Sequence, residues 1–322
     1  MESVRIGLVH DSVLPTPHYG GTERVVWWLA KGLCELGVEL TLFSRTGSQF
    51  PFGKHFATDF RRLSALRSES VDLLHYFAPP NFVPQTPYLV TIGGNGVAGE
   101  RYLPNSVFVS GDHARRHHAE AFVYNGIDPD DYRYSDFHDG SLLFLAKASW
   151  RVKNVKGAIR IARQSRRRLH ILGGSRLWKS WRGVTWEGVV GGTKKRELLA
   201  RSQALLFPVI WDEPFGLAVV EAMMSGVPVL STRRGSLPEL VSSDVGFLCD
   251  TYGEFIEAVE RSADINRARC REWALENFHY RKMAKRYLHY YERVLEGQSL
   301  NPMIPFTDGP QGEWRELAPL NT

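Results

Sequence analysis

Short apolar runs alternate with helical stretches along this chain, and the alternation begins twice. Residues 4–10 (VRIGLVH) form a mostly apolar run that reads as a buried strand of a parallel sheet. A proline-containing loop with Gly20-Gly21 follows. Thr22 is then expected to cap a helix in which Val25, Leu29, Leu33 and Leu36 recur at helical spacing, with Gly37 ending it. Residues 38–43 are the next strand, and strands at 71–76, 88–92 and 107–110 continue the pattern. After the turn signal Asn125-Gly126 and a polar stretch, the rhythm restarts. Strands are expected at 142–146, 169–172, 204–208 and 227–231, with helices at 155–164, around 198–201 and at 217–225. Strand–helix alternation of this kind specifies parallel sheets covered by helices on both faces. The expectation is therefore α/β: two doubly wound parallel-sheet halves split near residue 125. Ligands of such sheets bind beyond the carboxyl ends of the strands, and the cleft between two such halves is the default site.

A length of 322 residues agrees with about two domains. The 43% hydrophobic and 23% charged content is that of a globular chain. A formal net charge of +5 suits anionic ligands such as phosphates, or an anionic membrane surface. Cys34, Cys249 and Cys270 are far apart and form no CxxC, so neither a disulfide framework nor a zinc site follows, and a reducing cytoplasm is expected. The N-terminus lacks the apolar core of a signal peptide, and no apolar stretch of about 18 residues exists to span a membrane. Residues 268–295 are helical in pattern and dense in Arg, Lys, Tyr and Trp. That helix could rest on a membrane surface, although burial explains its aromatics equally well.

The chemistry concentrates in residues 211–231, WDEPFGLAVVEAMMSGVPVLS. A strand ends near Pro208. Then come Glu213-Pro214-Phe215-Gly216 and a helix. Pro214 suits a first helical turn, and Gly216 lets backbone come close to a ligand. The free N–H groups and positive dipole end of such a helix suit a diphosphate. Glu221 follows Glu213 by a span of about 12 Å if measured along a helix axis, so the two carboxylates are no tight catalytic pair. They suit two separated hydroxyl-bearing parts of one extended ligand, with phosphates between. The bland reading is that Glu213 caps the helix and Glu221 is a solvated helix charge.

Glu213, Phe215, Gly216, Leu217, Glu221, Ala222, Met223, Gly226, Pro228 and Val229 resemble the donor-binding signature of retaining GT-B glycosyltransferases of family 4, the glycosyl transferases group 1. Further segments are similar: 123–128 (VYNGID) to the turn that opens the second domain, 143–147 (LFLAK) to a strand end, 171–174 (ILGG) to a glycine-ended strand, and 186–190 (WEGVV) to the loop that packs on the nucleobase. Gly20-Gly21-Thr22-Glu23 matches the glycine loop after the first strand. The resemblance implies a GT-B arrangement: a first Rossmann-like domain over 1–122, a second over 123–279, and a C-terminal helix (about 280–322) that packs back on the first. The resemblance implies that Glu213 contacts the donor sugar near the reacting carbon and serves as the catalytic residue. It implies that Glu221 binds the ribose hydroxyls, and that Gly21, Phe215, Gly216 and Leu217 line the donor. Lys147 and Lys153 would neutralise the diphosphate, with Lys156 competing for the second place because Lys156-Gly157 reproduces the family's Lys-Gly pair. Tyr19, Gly20 and Asn95 are the acceptor-side candidates, with His18 beside them.

The chain departs from this family after the expected strand at 88–92. Many relatives carry a histidine there, and here Gly93 stands in its place. His75 and His113 are candidates by position only. His113, His117 and His118 look like a solvated helix face. Asp128-Pro129-Asp130 has the form of a metal-binding D-x-D, but it follows an Asn-Gly turn, where cap chemistry explains it better. The runs Arg166-Arg167-Arg168 and Lys194-Lys195-Arg196 read as solvated faces.

What the resemblance implies is metal-independent transfer of a hexose from a nucleotide-diphosphate sugar, UDP-linked first and GDP-linked next. The acceptor would be a glycan, a lipid-linked sugar or a small molecule. No cofactor is expected, since the nucleotide-sugar is a substrate, and no nucleic-acid partner. The alternative, prompted by Gly93, is a non-catalytic protein of the same fold that binds a sugar or nucleotide.

Overall fold

The computed structural model describes residues 4–16, 20–60, 70–175, 180–309 and 317. The chain divides into two compact units, Met1–Ile127 with Phe278–Gln311, and Asp128–Asn277 with Gly312–Thr322.

In the first unit the elements run β1 (Arg5–Val9), α1 (Gly21–Glu35), β2 (Glu39–Ser44), β3 (Gly53–Ala57), β4 (Leu73–Tyr76), β5 (Tyr88–Ile92), β6 (Ser106–Phe108) and α2 (Gly111–Arg116). Among the described residues the strands pair in the order β3-β2-β1-β4-β5-β6, all parallel. The apolar runs of β1, β2 and β4 are buried along most of their length because helices cover both faces. The sequence hides β3, an exposed edge strand whose residues GKHFA carry no apolar run. Gly20, not Thr22, is the N-cap of α1, and it makes no side-chain cap bond.

The second unit runs β7 (Leu142–Leu145), α3 (Val155–Gln164), β8 (Leu169–Leu172), β9 (Ser180–Trp181), β10 (Val184–Gly188), α4 (Gly192–Arg201), β11 (Ala204–Phe207), α5 (Leu217–Met224), β12 (Val229–Ser231), α6 (Leu237–Leu240), β13 (Gly246–Leu248), α7 (Tyr252–Arg261) and α8 (Arg267–Phe278). Among the described residues the strand order is β13-β12-β11-β7-β8-β10-β9, with only the short β9 antiparallel. From β7 the chain winds outward through β8 and β10. It then returns to β11 and winds the other way. The order therefore reverses between β7 and β11, and the loops that leave these two strands diverge at their carboxyl ends. Leu142, Phe144, Ile161, Ile171, Leu206, Leu230 and Phe255 build the core under this point.

The helical pattern over 268–295 is two helices. His279 breaks it in an extended conformation, its side chain accepts from the N–H of Arg281, and α9 (Tyr280–Leu295) belongs to the first unit. Gly32 of α1 allows the close approach of α9, since a Cβ there would lie 2.7 Å from that of Ala284. The aromatics of α9 are core residues. His75 on β4 lies 2.7 Å from the hydroxyl of Tyr291 and 2.7 Å from that of Thr91, which lies 2.7 Å from the hydroxyl of Tyr287. All four are buried, and burial pushes the His75 imidazole down to about 3.

The break between units falls after Ile127 rather than before Val123. The intervening residues are tied into the first unit: Val123 N–H donates to Phe108 O (2.8 Å) and Ile127 N–H to Phe278 O (2.8 Å). The terminal segment is not all on the first unit either, because Leu317 is buried in the second unit's core.

Candidate functional site

The donor-site candidates of the second unit, Lys147, Lys153, Glu213, Phe215, Gly216, Leu217 and Glu221, lie on loops or helices that follow β7 or β11, the two strands at the reversal. After β11 the chain reaches Glu213, turns through Gly216 and enters α5. Gly216 is the N-cap, held in the left-handed region at φ 95°, where side-chain-bearing residues are disfavoured. Helix α5 therefore starts at Leu217, and Pro214 stands before it rather than in its first turn. Glu213 does not cap the helix.

The loop is fastened from a segment that the sequence reading passed over. Ser236 N–H donates to Glu213 O (2.9 Å) and the Ser236 hydroxyl to Phe215 O (2.7 Å). Gly235, at φ 57°, lets its backbone lie so close that a Cβ would sit 2.4 Å from both N and O of Glu213. The Arg-Gly-Ser sequence after β12 was the available signal, as a turn motif.

Glu213 is only 6% exposed. Its Oε2 accepts from Lys153 Nζ (2.5 Å) and from the indole N–H of Trp211 (2.7 Å). Lys153 comes from the 3-10 turn at Arg151–Lys153 that precedes α3, and its ammonium also lies 4.6 Å from the ring centre of Trp211. A buried carboxylate needs such a counter-charge, and a buried lysine needs it equally. Lys156, the rival for this place, is exposed on α3. Asn154, left-handed at φ 55°, separates the two: its side chain caps α3 at Gly157 N–H and donates to Pro208 O (2.9 Å). Lys147 is exposed after β7, with its ammonium 5.1 Å from the ring centre of Trp150. Trp150 in turn meets Trp211 edge-on at 6.3 Å.

Glu221 sits in a helix that is buried nearly all round, and it is 1% exposed. The solvated-charge reading therefore fails. Its Oε1 accepts from the Tyr132 hydroxyl (3.0 Å), and its Oε2 faces Lys195 Nζ at 2.7 Å. In the Lys194-Lys195-Arg196 run, Lys194 and Arg196 are exposed as expected of a solvated face, whereas Lys195 is drawn inward. Lys194 pairs with Glu187 (2.7 Å), Lys195 with Glu221, and Arg196 with Asp131 (3.5 Å). Glu187 also meets His170 Nδ1 at 2.8 Å. Burial raises its pKa, but the bonds from Lys194 and His170 outweigh that and hold the carboxyl below its usual value. Trp186 and Glu187 belong to β10 rather than to a loop, which leaves Val189 as the exposed apolar residue beyond the strand.

In the first unit, Gly20 and Gly21 form the start of α1, beyond the carboxyl end of β1. A Cβ on Gly20 would lie 2.5 Å from a carboxylate oxygen of Glu23. Tyr19 and His18 lie outside the described residues. The Asn95 side-chain oxygen accepts from Arg116 (3.1 Å). His113 and His117 are fully buried, not solvated: α2 turns them inward against Phe108, and His113 Nε2 lies 3.1 Å from Gly94 O. Burial holds the His113 imidazole well below its usual range. Asp128 accepts from Asp130 N–H (3.1 Å) and caps the short turn at Pro129–Asp131. Among the described residues, no group of three or more His, Cys, Asp or Glu is placed to hold a metal ion.

Residues 139–264 match the family model described as glycosyl transferases group 1. That segment is similar to the glycosyl transferases group 1 family. The matched segment is the second unit, where the paired carboxylates lie. Among curated proteins, the chain is 37% identical over 108 residues to N-acetyl-alpha-D-glucosaminyl L-malate synthase of Bacillus anthracis, covering 31% of this chain and 28% of that one. It is 37% identical over 86 residues to a probable sucrose-phosphate synthase of Thermosipho melanesiensis, covering 25% and 20%. These matches thus span under a third of either relative. Among solved structures, AviGT4, a glycosyltransferase involved in avilamycin A biosynthesis, superposes with TM-score 0.77 at 24% identity over 92% of this chain and 99% of its own. HepE of Anabaena, solved with UDP and glucose, gives TM-score 0.65 at 16% identity, over 90% and 99%. The two doubly wound units are those of the GT-B fold.

Proposed function

We propose that this protein transfers a hexose, with retention of configuration, from a nucleotide-diphosphate sugar to a carbohydrate-containing acceptor. The observation that carries this reading is the pair of buried, cation-matched carboxylates, Glu213 and Glu221, on either side of a helix start capped by left-handed Gly216. A nucleotide-sugar has the matching layout: hydroxyls at both ends and two phosphates between.

In this reading Glu221 takes the ribose hydroxyls and the start of α5 faces the phosphates, where its N–H groups and dipole favour negative charge. Lys147 and Lys153 counter the charge that develops on the leaving diphosphate. Glu213 contacts the donor sugar near the reacting carbon, and its bonds to Lys153 and Trp211 hold it in one orientation. The leaving phosphate accepts the acceptor's proton, so the absence of a histidine at Gly93 does not stop the reaction. UDP is the first choice of nucleotide, supported by the HepE structures solved with UDP, with UDP and glucose, and with UDP-glucose, and GDP the second.

A thermal-shift panel of UDP, GDP, ADP and TDP tests the donor half, since a ligand that binds only the folded state raises the midpoint. The matching nucleotide-hexose, offered with a panel of acceptors, then releases nucleotide only when an acceptor is present. Glu213→Ala is expected to bind nucleotide and lose transfer. Full transfer by that variant would remove Glu213 from the role.

A further inference from the structure

We infer that the hollow bounded by the turn after β7, the outer face of α3 and the start of α7 is a second ligand site, for a small soluble molecule that joins a phosphate group to an apolar or aromatic body. It does not rest on the proposed donor site and stands without it.

The hollow has a volume of about 770 Å³, the size of a small-molecule site. Trp150, Val155, Ile210 and Tyr252 give it aromatic and aliphatic walls, and Lys156 and Arg160 bring positive charge to it. All of these residues belong to the second unit. The turn and the helix that follows it face two ways. Lys153 leaves the turn toward Glu213, whereas Lys156 and Arg160, from the first two turns of α3, line the hollow.

The two cations lack a counter-charge. They stand four residues apart on one face of α3, a helix with no acidic residue, and like charges at that spacing repel. Neighbouring cations of the unit do meet carboxylates: Lys153 meets Glu213, Lys194 meets Glu187 and Arg167 meets Glu260. Among the described residues Lys156 makes no side-chain hydrogen bond or ion pair, and Arg160 has only the ring of Tyr252, whose centre lies 4.2 Å from its guanidinium. That stack holds the guanidinium against the wall and leaves its N–H groups for an anion. Trp150, 46% exposed, offers apolar surface beside them. An anionic head on an apolar body satisfies both features at once, and phosphate suits an arginine and a lysine together. The charges border a recess rather than a projecting face, which favours a small molecule over a lipid surface.

Titration calorimetry of the full chain with phenyl phosphate, inorganic phosphate and phenol tests this. Phenyl phosphate is expected to bind about tenfold more tightly than inorganic phosphate, through burial of its ring, and phenol not to bind. Lys156→Gln and Arg160→Gln, both at exposed positions where folding tolerates substitution, each weaken phenyl phosphate about tenfold. A saturating amount of whichever of UDP, GDP, ADP and TDP the protein takes does not displace it. Displacement would put the phosphate in the donor site and overturn the inference. So would an unchanged affinity in either variant, or equal affinity for phenyl phosphate and either of its parts. Binding to vesicles of phosphatidylcholine and phosphatidic acid without binding of phenyl phosphate overturns it in favour of a lipid surface. A protein that takes none of the four nucleotides defeats the proposed donor site alone, and weakened phenyl phosphate binding in the two variants still supports this one.

Discussion

Lys153 Nζ lies 2.5 Å from Glu213 Oε2, and both side chains are almost wholly removed from water. Each is the other's counter-charge, and the indole of Trp211 closes the group by donating to the same oxygen. The pair joins the turn after β7 to the loop after β11, across the point where the strand order reverses.

Removing one partner of this pair leaves a buried, half-satisfied charge. Lys153→Met is expected to destabilise the protein by about 3 kcal/mol, the usual cost of breaking a buried ion pair from one side. The double variant Lys153→Met/Glu213→Gln recovers much of that loss, because no uncompensated charge remains. Lys156→Ala, at an exposed position three residues on, changes stability by no more than about 0.5 kcal/mol. Urea unfolding of the three variants checks the order, and an equal loss for Lys153 and Lys156 would contradict it.

Two glycines near Glu213 are expected to differ in their tolerance. At Gly216 an added Cβ meets nothing closer than 3.4 Å, so Gly216→Ala carries mainly the cost of a left-handed alanine, about 1–2 kcal/mol. At Gly235 the same methyl would lie 2.4 Å from Glu213 N and O, and backbone cannot swing aside as a side chain does. Gly235→Ala should cost more stability than Gly216→Ala and displace Glu213. Unfolding curves of both variants, with nucleotide affinity measured alongside, give the comparison.

The first unit should weaken in mild acid. His75 has an ordinary value of 6.5 and is pushed by burial to about 3 in the folded chain. Between those values the unfolded chain binds the proton and the folded chain does not, so stability present in full above pH 6.5 is lost as the pH falls toward 3. The slope approaches about 1.4 kcal/mol per pH unit for His75. His113, lowered by burial first and by the neighbouring His117 and Arg116 next, adds in the same direction. The free energy of unfolding measured from pH 6.5 to 5, above the range where most carboxylates titrate, should fall. A flat profile there would show that the folded chain takes up protons at these sites as readily as the unfolded chain, and would overturn the prediction.

Gly93 is open to substitution. An added Cβ meets nothing within 4 Å. Gly93→His is therefore expected to fold with stability within about 0.5 kcal/mol of the parent. Thermal unfolding checks this, and transfer assays on the same variant show what a histidine there does to the rate.

The alternation of apolar strand and amphipathic helix was legible because its periods are local. β5, β8 and α3 stand at the positions their patterns gave. Strand β3 was not legible, since it lies at an exposed edge and lacks an apolar run. The break at His279 escaped because both flanks are helical, and the residue is extended only where Ile127 N–H bonds to Phe278 O and Tyr280 N–H to Ile127 O. In the candidate site the segment from Glu213 to Glu221 could be found because its residues adjoin. Lys195 and Tyr132 could not, for they reach Glu221 from positions far along the chain, and a lysine inside a run of three cations looks like solvated surface.

The sequence by itself determined two α/β units and the two carboxylates around a glycine-capped helix. These rest on composition, period and spacing, which the chain carries whatever its surroundings. Only the tertiary structure decided which lysine, 153 or 156, stands against Glu213, that the histidines at 113 and 117 are buried, and that three neighbouring cations serve three separate carboxylates. The reason is one of range. A helix or strand is specified by residues a few places apart, whereas burial and counter-charge are set by segments that meet only when the sheet closes.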